Sequence, residues 1–342
     1  MYAFSAADAV APAVQRTKTF LFSSFRWGTY LKLCLVALIT EGLGNFRSSG
    51  NAGAPPSNQG PSISAPLDLT PGWIALMIAA SVFFVVLCCI LYYWITRLRF
   101  AYFYCLIHNT REIRPGWRLL GLQAARFFWL NLAVGACFVL LIALIGLPFV
   151  AGFWRLFREA QAGGHPDVGA ILSFVLPLIP IVILVVLGVI LADVILRDWM
   201  LPHYALDNAS AAQAWAAVWE CISKEKGQFL AYALLRVILP ILAVIAVAIV
   251  LIIPTLILAA ALGVIELGIH SAFAGATGAA AVAGLFLQAF FGVIGFGFAL
   301  LASVCVGGPL STAIREYALL FYGGRYQQLG DILAPASRAG IA

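Results

Sequence analysis

The chain has 342 residues, of which 63% are hydrophobic and only 10% charged, and its mean hydropathy is +1.01. Charged residues make up about a quarter of an ordinary soluble domain, so this composition excludes one: a soluble core cannot absorb so much apolar surface. The net charge of +6 does not point to nucleic acid either, because the basic residues flank hydrophobic stretches instead of forming a basic tail or domain.

The N-terminal segment MYAFSAADAVAPAVQRTKTF carries acidic, basic and Pro residues before the first apolar run, and no small-residue cleavage site follows promptly. A removable signal peptide is not expected. Six apolar stretches then follow, at 27–43, 73–96, 127–151, 169–196, 228–262 and 280–312. A spanning helix needs about 20 apolar residues, so they predict an all-α integral membrane fold with six transmembrane helices. The first stretch is short and carries Lys32 and Glu41. The fifth is long for one crossing and contains Pro240 and Pro254, which leaves open an extra or re-entrant segment at 256–275.

Positive charge sets the orientation, since cytoplasmic loops retain Lys and Arg while short translocated loops do not. Of the 20 Lys and Arg, 15 lie in the N-terminal segment, the 97–126 and 197–227 loops and the C-terminal segment. Only Arg47, Arg155 and Arg158 lie on the opposite side, and Lys32 and Arg236 fall within spans. Both termini are therefore expected in the cytoplasm, with residues 43–72, rich in Gly, Ser, Pro and Asn, as a flexible outer loop and 317–342 as a cytoplasmic tail. Trp27, Trp73, Trp94, Trp129, Trp154 and Trp199 stand near predicted span ends, where an amphipathic ring anchors at the interface.

Basic landmarks recur about 100 residues apart: Arg26, Arg126 and Lys226 precede the odd spans, while Arg97, Arg197 and Arg315 close the even ones. Ahead of each odd span stands a short amphipathic segment opened by a capping residue, Ser5, Thr110 or Ser210, and Ser210 with Gln213 has capping-box spacing. The reading is three hairpins in parallel repeat, units 5–98, 110–198 and 210–316, each introduced by a cytoplasmic interfacial helix.

This capped Ala- and Trp-containing helix, then a basic residue, then an apolar span, is clearest at Ser210–Leu235 and recurs at Thr110–Leu130. It resembles a group of uncharacterised bacterial polytopic membrane proteins similar to the membrane domain of some glycerophosphodiester phosphodiesterases. The resemblance implies a bacterial cytoplasmic (inner) membrane location and, faintly, a lipid-related role. It transfers no catalytic residue, because the chemistry of such phosphodiesterases belongs to a soluble barrel with no counterpart here.

No constellation for catalysis emerges. The four histidines, at 108, 165, 203 and 270, are dispersed, the seven cysteines lack CxxC spacing, and no nucleophile elbow, Walker loop or HExxH motif occurs. No cofactor or metal is expected. Ionisable groups inside spans are costly and so are the candidates for function: Lys32, Asp193 and Arg236. Asp193 precedes Arg197 by one helical turn, which allows a local ion pair; alternatively Asp193 meets Arg236 in a polar cavity. Gly284, Gly292 and Gly295 form a small surface suited to close helix packing.

These features favour a non-enzymatic scaffold or accessory subunit of a membrane assembly, with membrane lipids, other subunits or a second copy as partners. The alternative is a carrier or channel for a lipid or small hydrophobic solute, suggested by the repeat, the intramembrane charges and the kinked spans.

Overall fold

A computed structural model describes residues 4–23, 25–42, 71–161, 168–275 and 277–333. Among them there is no strand. Helix α1 (Val10–Phe22) leads to α2 (Trp27–Ala37), which ends in a π-helical turn at Leu38–Gly42. Then come α3 (Pro71–Ile107), the short α4 (Ile113–Leu119) and α5 (Gly121–Gln161). Helix α6 runs Val168–Val194, through a π turn at Ile195–Met200, to Leu201–Leu206. Four further helices complete the chain: α7 (Ala211–Lys224), α8 (Lys226–Ala272), α9 (Ala279–Gly323) and α10 (Gln327–Leu333).

Among the described residues, five helices, α3, α5, α6, α8 and α9, are long and apolar enough to cross a membrane. Their most apolar stretches are almost entirely uncovered by the rest of the protein. Burial is concentrated instead at one end, where Phe100–Ile107, Ala124, Phe127, Trp199–Leu201, Phe229, Tyr232 and Tyr317–Tyr322 pack with α1, α2 and α10. The molecule thus has a packed base and five apolar arms.

The fifth apolar stretch forms one unbroken helix of 47 residues, about 70 Å at the rise of an α-helix, so no separate element forms at 256–272. Pro240 and Pro254 lie inside it, and Pro177 and Pro180 inside α6. A turn joins α8 to α9 through Gly275 and Gly278, whose φ of 86° and 63° suits glycine. The two helices then pack back to back: a side chain at Gly284 would strike Phe273, and one at Gly295 would press on Leu262. Gly292 faces open space.

The first expected span departs from the expectation. Helix α2 and its π turn cover 16 residues, Trp27 to Gly42, below the length of a crossing. It packs inside the base against α9, its contacts advancing in the same direction along both helices. The Tyr30 hydroxyl donates to the Cys305 carbonyl, Cys34 abuts Gly308, and Glu41 meets Arg315. Glycines at 307 and 308 are needed there, since a Cβ at Gly308 would overlap the Cys34 backbone. The outer loop expected at 43–72 lies outside the described residues up to 70, and 71–72 already belong to α3.

The segment from 317 onward was expected to be a tail, but α9 continues to Gly323 and buries Tyr317–Phe321, followed by a packed α10. Its apolar run ALLFYG continues the helical face, and Leu329 and Leu333 close over it. Of the three expected caps, Ser210 makes the full capping box with Gln213. Ser5 instead caps the turn ahead of α1 through the Asp8 amide, and α4 starts at Ile113 without a side-chain cap from Thr110.

Candidate functional site: a buried ionic cluster in the base

Two π turns bring the charged residues together. A π turn shifts the register of the backbone ladder, which frees carbonyls and redirects side chains, and it is frequent at functional sites. In the α2 turn, the Thr40 carbonyl accepts hydrogen bonds from Arg99 Nη2 at 3.1 Å and Arg197 Nη2 at 2.7 Å. In the α6 turn, the Arg197 carbonyl accepts from Arg315 Nη1 at 2.7 Å.

Glu41 and Asp198 are the two buried anions of the cluster. Glu41 takes Arg197 at 2.9 Å, Arg236 at 3.6 Å and Arg315 at 3.9 Å. Asp198 receives Arg236 Nε at 2.8 Å, Arg315 Nη1 at 3.1 Å and the Tyr232 hydroxyl at 2.8 Å. Arg99, Arg197, Arg236 and Arg315 are all buried, so four guanidinium groups face two buried carboxylates and the half-exposed Asp193. Carboxylates shared among several donors in a dry setting hold geometry tightly, because each lost partner leaves a buried charge uncompensated.

A second layer fastens the chain ends to this cluster. Arg16 of α1 pairs with the buried Glu316 at 3.0 Å and donates to the Leu106 carbonyl at 2.9 Å. Arg325 pairs with Glu225 at 2.6 Å and donates to the Phe4 carbonyl at 3.1 Å. His203 reaches the Tyr322 hydroxyl at 2.7 Å and Asp207 at 3.2 Å. The N- and C-terminal segments therefore share the base.

The cluster lies beyond the most apolar part of the arms. The exposed Trp73 and Trp94 stand 21 residues apart on α3, about 32 Å by helical rise, close to the about 30 Å of a hydrocarbon core. Arg99 follows Trp94 by five residues, on the base side. Trp129 and Trp154 bracket α5 in the same way. Trp199 departs from the anchor expectation: it is 2% exposed and packs edge-on against Phe229 within the base.

Of the three candidate residues, the structure brings two into one network. Arg236 is buried, but its partners are Asp198 and Glu41 and not Asp193. Asp193, 52% exposed, makes the local pair with Arg197 at 2.9 Å. Lys32 lies on the exposed side of α2, away from the cluster. In the sequence Glu41 falls on the short first stretch, Arg99 in the basic 97–126 loop, and Arg197 and Arg315 at span ends. All four are core residues.

A signal for them was present. Arg197-Asp198-Trp199 and Arg315-Glu316-Tyr317 repeat an Arg–acid–aromatic triplet, and each is followed by a tyrosine seven residues after the arginine, Tyr204 and Tyr322. Arg97 and Tyr104 keep the Arg-to-Tyr spacing alone, with Leu98 in the acidic place and Arg99 in the aromatic one. Among the described residues, no group of three or more His, Cys, Asp or Glu is placed to hold a metal ion.

Helical composition, five apolar arms and an ionic base define a protein of the multi-pass membrane class. Its family is shown by a match over residues 4–332: the chain belongs to a family of unknown function, DUF7544. No curated protein and no solved structure matches the chain. The resemblance to the membrane domain of glycerophosphodiester phosphodiesterases has no counterpart in that match.

Proposed function

We propose that this protein is a non-enzymatic scaffold or accessory subunit of an assembly in the bacterial cytoplasmic membrane. The observation that carries the reading is the division between base and arms. The base spends its polar side chains on internal partners, with Glu41 and Asp198 each held by more than one arginine. The arms present long apolar faces from Trp73 to Leu91, Val139 to Leu147 and Ile241 to Leu267. Exposed apolar faces of that extent suit lipid and other membrane helices.

Both termini are placed in the cytoplasm by the charge bias, and the packing of Phe4 with Arg325 supports an even number of crossings. The arms supply five of them among the described residues. The threefold hairpin arrangement is part of the same proposal, supported by the spacing of about 100 residues between Arg97 and Arg197 and by the Arg–acid–aromatic triplet that the second and third units share.

A carrier would need its intramembrane charges around one cavity. Lys32 on the outside of α2 and the pairing of Asp193 with Arg197 favour the scaffold reading over it. The test is purification of the full chain from its own membrane in mild detergent. A defined partner or a stable homo-oligomer is expected; a monodisperse monomer with no partner would overturn the scaffold reading.

A further inference from the structure

A cavity of about 400 Å³ lies where α5, α6 and the N-terminal half of α7 meet. Leu130 and Val134 line it on α5, Gly188 and Ala192 on α6, and Met200 and Trp215 line its base end. The lining is almost wholly apolar. From Met200 to Gly188 it extends over about 18 Å of helix and merges with the exposed apolar surface of the arms. Its lining thus forms an apolar slot along the arms that opens toward the bilayer.

The base end of the slot has the opposite character. Arg126 stands one turn below Leu130 on the same face of α5 and is exposed. The Asn208 side-chain carbonyl accepts from its Nη1 at 3.2 Å, which steers the guanidinium toward the start of α7. Asn208 holds a positive φ of 50°, so the chain turns sharply there into Ser210 and the helix. Ser210 caps the Gln213 amide, while Ala211, the first helical residue, itself borders the slot. A cation and the positive end of a 14-residue helix therefore meet at the mouth of an apolar slot. Asp207, next to Asn208 in the chain, is taken up by His203 and Tyr326. Trp215 stacks on Trp219 on the exposed side of α7, where aromatic rings settle at the headgroup level.

We propose that this slot binds one anionic glycerophospholipid, an acyl chain lying between α5 and α6 and the phosphate held by Arg126 at the start of α7. A long apolar chain joined to an anionic phosphate complements both ends of the site, and the basic loops facing it enrich anionic lipid at this surface. The assignment goes beyond the scaffold reading and does not depend on it.

The experiment titrates phosphatidylglycerol or phosphatidylcholine onto the delipidated full chain in detergent and counts bound lipid by native mass spectrometry. One phosphatidylglycerol per chain is expected, held at least tenfold more tightly than phosphatidylcholine. Ala192→Phe, which fills the slot, is expected to lose both lipids. Arg126→Gln, a surface change that leaves the core intact, is expected to abolish the headgroup preference while the slot still accepts a chain. Equal binding of the two lipids by the unaltered protein would overturn the proposal, as would wild-type preference in Arg126→Gln. A photo-crosslinker at position 192 that captures a protein helix and no lipid would do so too. None of these outcomes changes the oligomer or partner on which the scaffold reading is judged.

Discussion

On α6, Arg197 is 3% exposed beside Glu41, and 13 residues earlier Leu184 is 71% exposed. On α9, Arg315 is 1% exposed and Phe296, 19 residues before it, is 69% exposed. Within single helices, the charged residues are inside and the apolar ones outside. A soluble protein could not keep this arrangement, because its exposed leucines would drive aggregation. A bilayer removes that penalty, since lipid tails are as apolar as leucine and cover the arms without any protein contact. The base has no such solvent to rely on, and its order comes from a packed aromatic core together with specific pairing of Glu41 and Asp198 with Arg197, Arg236 and Arg315.

The comparison breaks first at Glu41. Glu41→Ala strips Arg197, Arg236 and Arg315 of a shared anion, and the loss should be about 3–5 kcal/mol, as for other broken buried ion pairs. Chemical unfolding in micelles should show it; a change under 1 kcal/mol, roughly that of a surface pair, would mean the cluster does not hold the base. A smaller effect is expected where α2 crosses α9. Gly308→Ala should cost about 1–3 kcal/mol by overpacking against Cys34. Combining it with Cys34→Gly removes the Cβ and Sγ contacts but leaves the Cα at 2.6 Å, so only part of that loss should be recovered, and strict additivity of the two would argue against their contact. The smallest effect belongs to the arms: Leu184→Ala should change stability in micelles by no more than about 0.5 kcal/mol. A loss of several kcal/mol there would mean that the arm is already packed in the isolated protein.

Much of the helical order was legible in the sequence, because long apolar runs with few charges have few alternative structures. The capping box at Ser210 and Gln213 was legible for a local reason: both partners lie within one turn, and the bond needs nothing from the rest of the chain. Glu41 and Arg197 were not legible in the same way. A hydropathy window sees a charge near a span end and assigns it to water, whereas their actual partners lie 156 residues apart in the chain. Trp199 was misplaced for the same reason, its aromatic neighbours Phe229 and Tyr232 coming from another helix. Residues beyond 317 read as a tail because they follow a basic residue, yet the apolar face of Ala318–Phe321 continues the helix into the base.

Composition and charge by themselves determined the class of this protein, a helical chain with several spans and a basic side, because both depend only on how much apolar and charged material the chain carries and in what order. Only the tertiary structure decided that the basic side is a packed core. Whether an arginine near a span end meets water, a headgroup or a buried carboxylate depends on what the other helices place beside it, and the two π turns that aim Glu41 and Arg197 at each other form only when those helices are together.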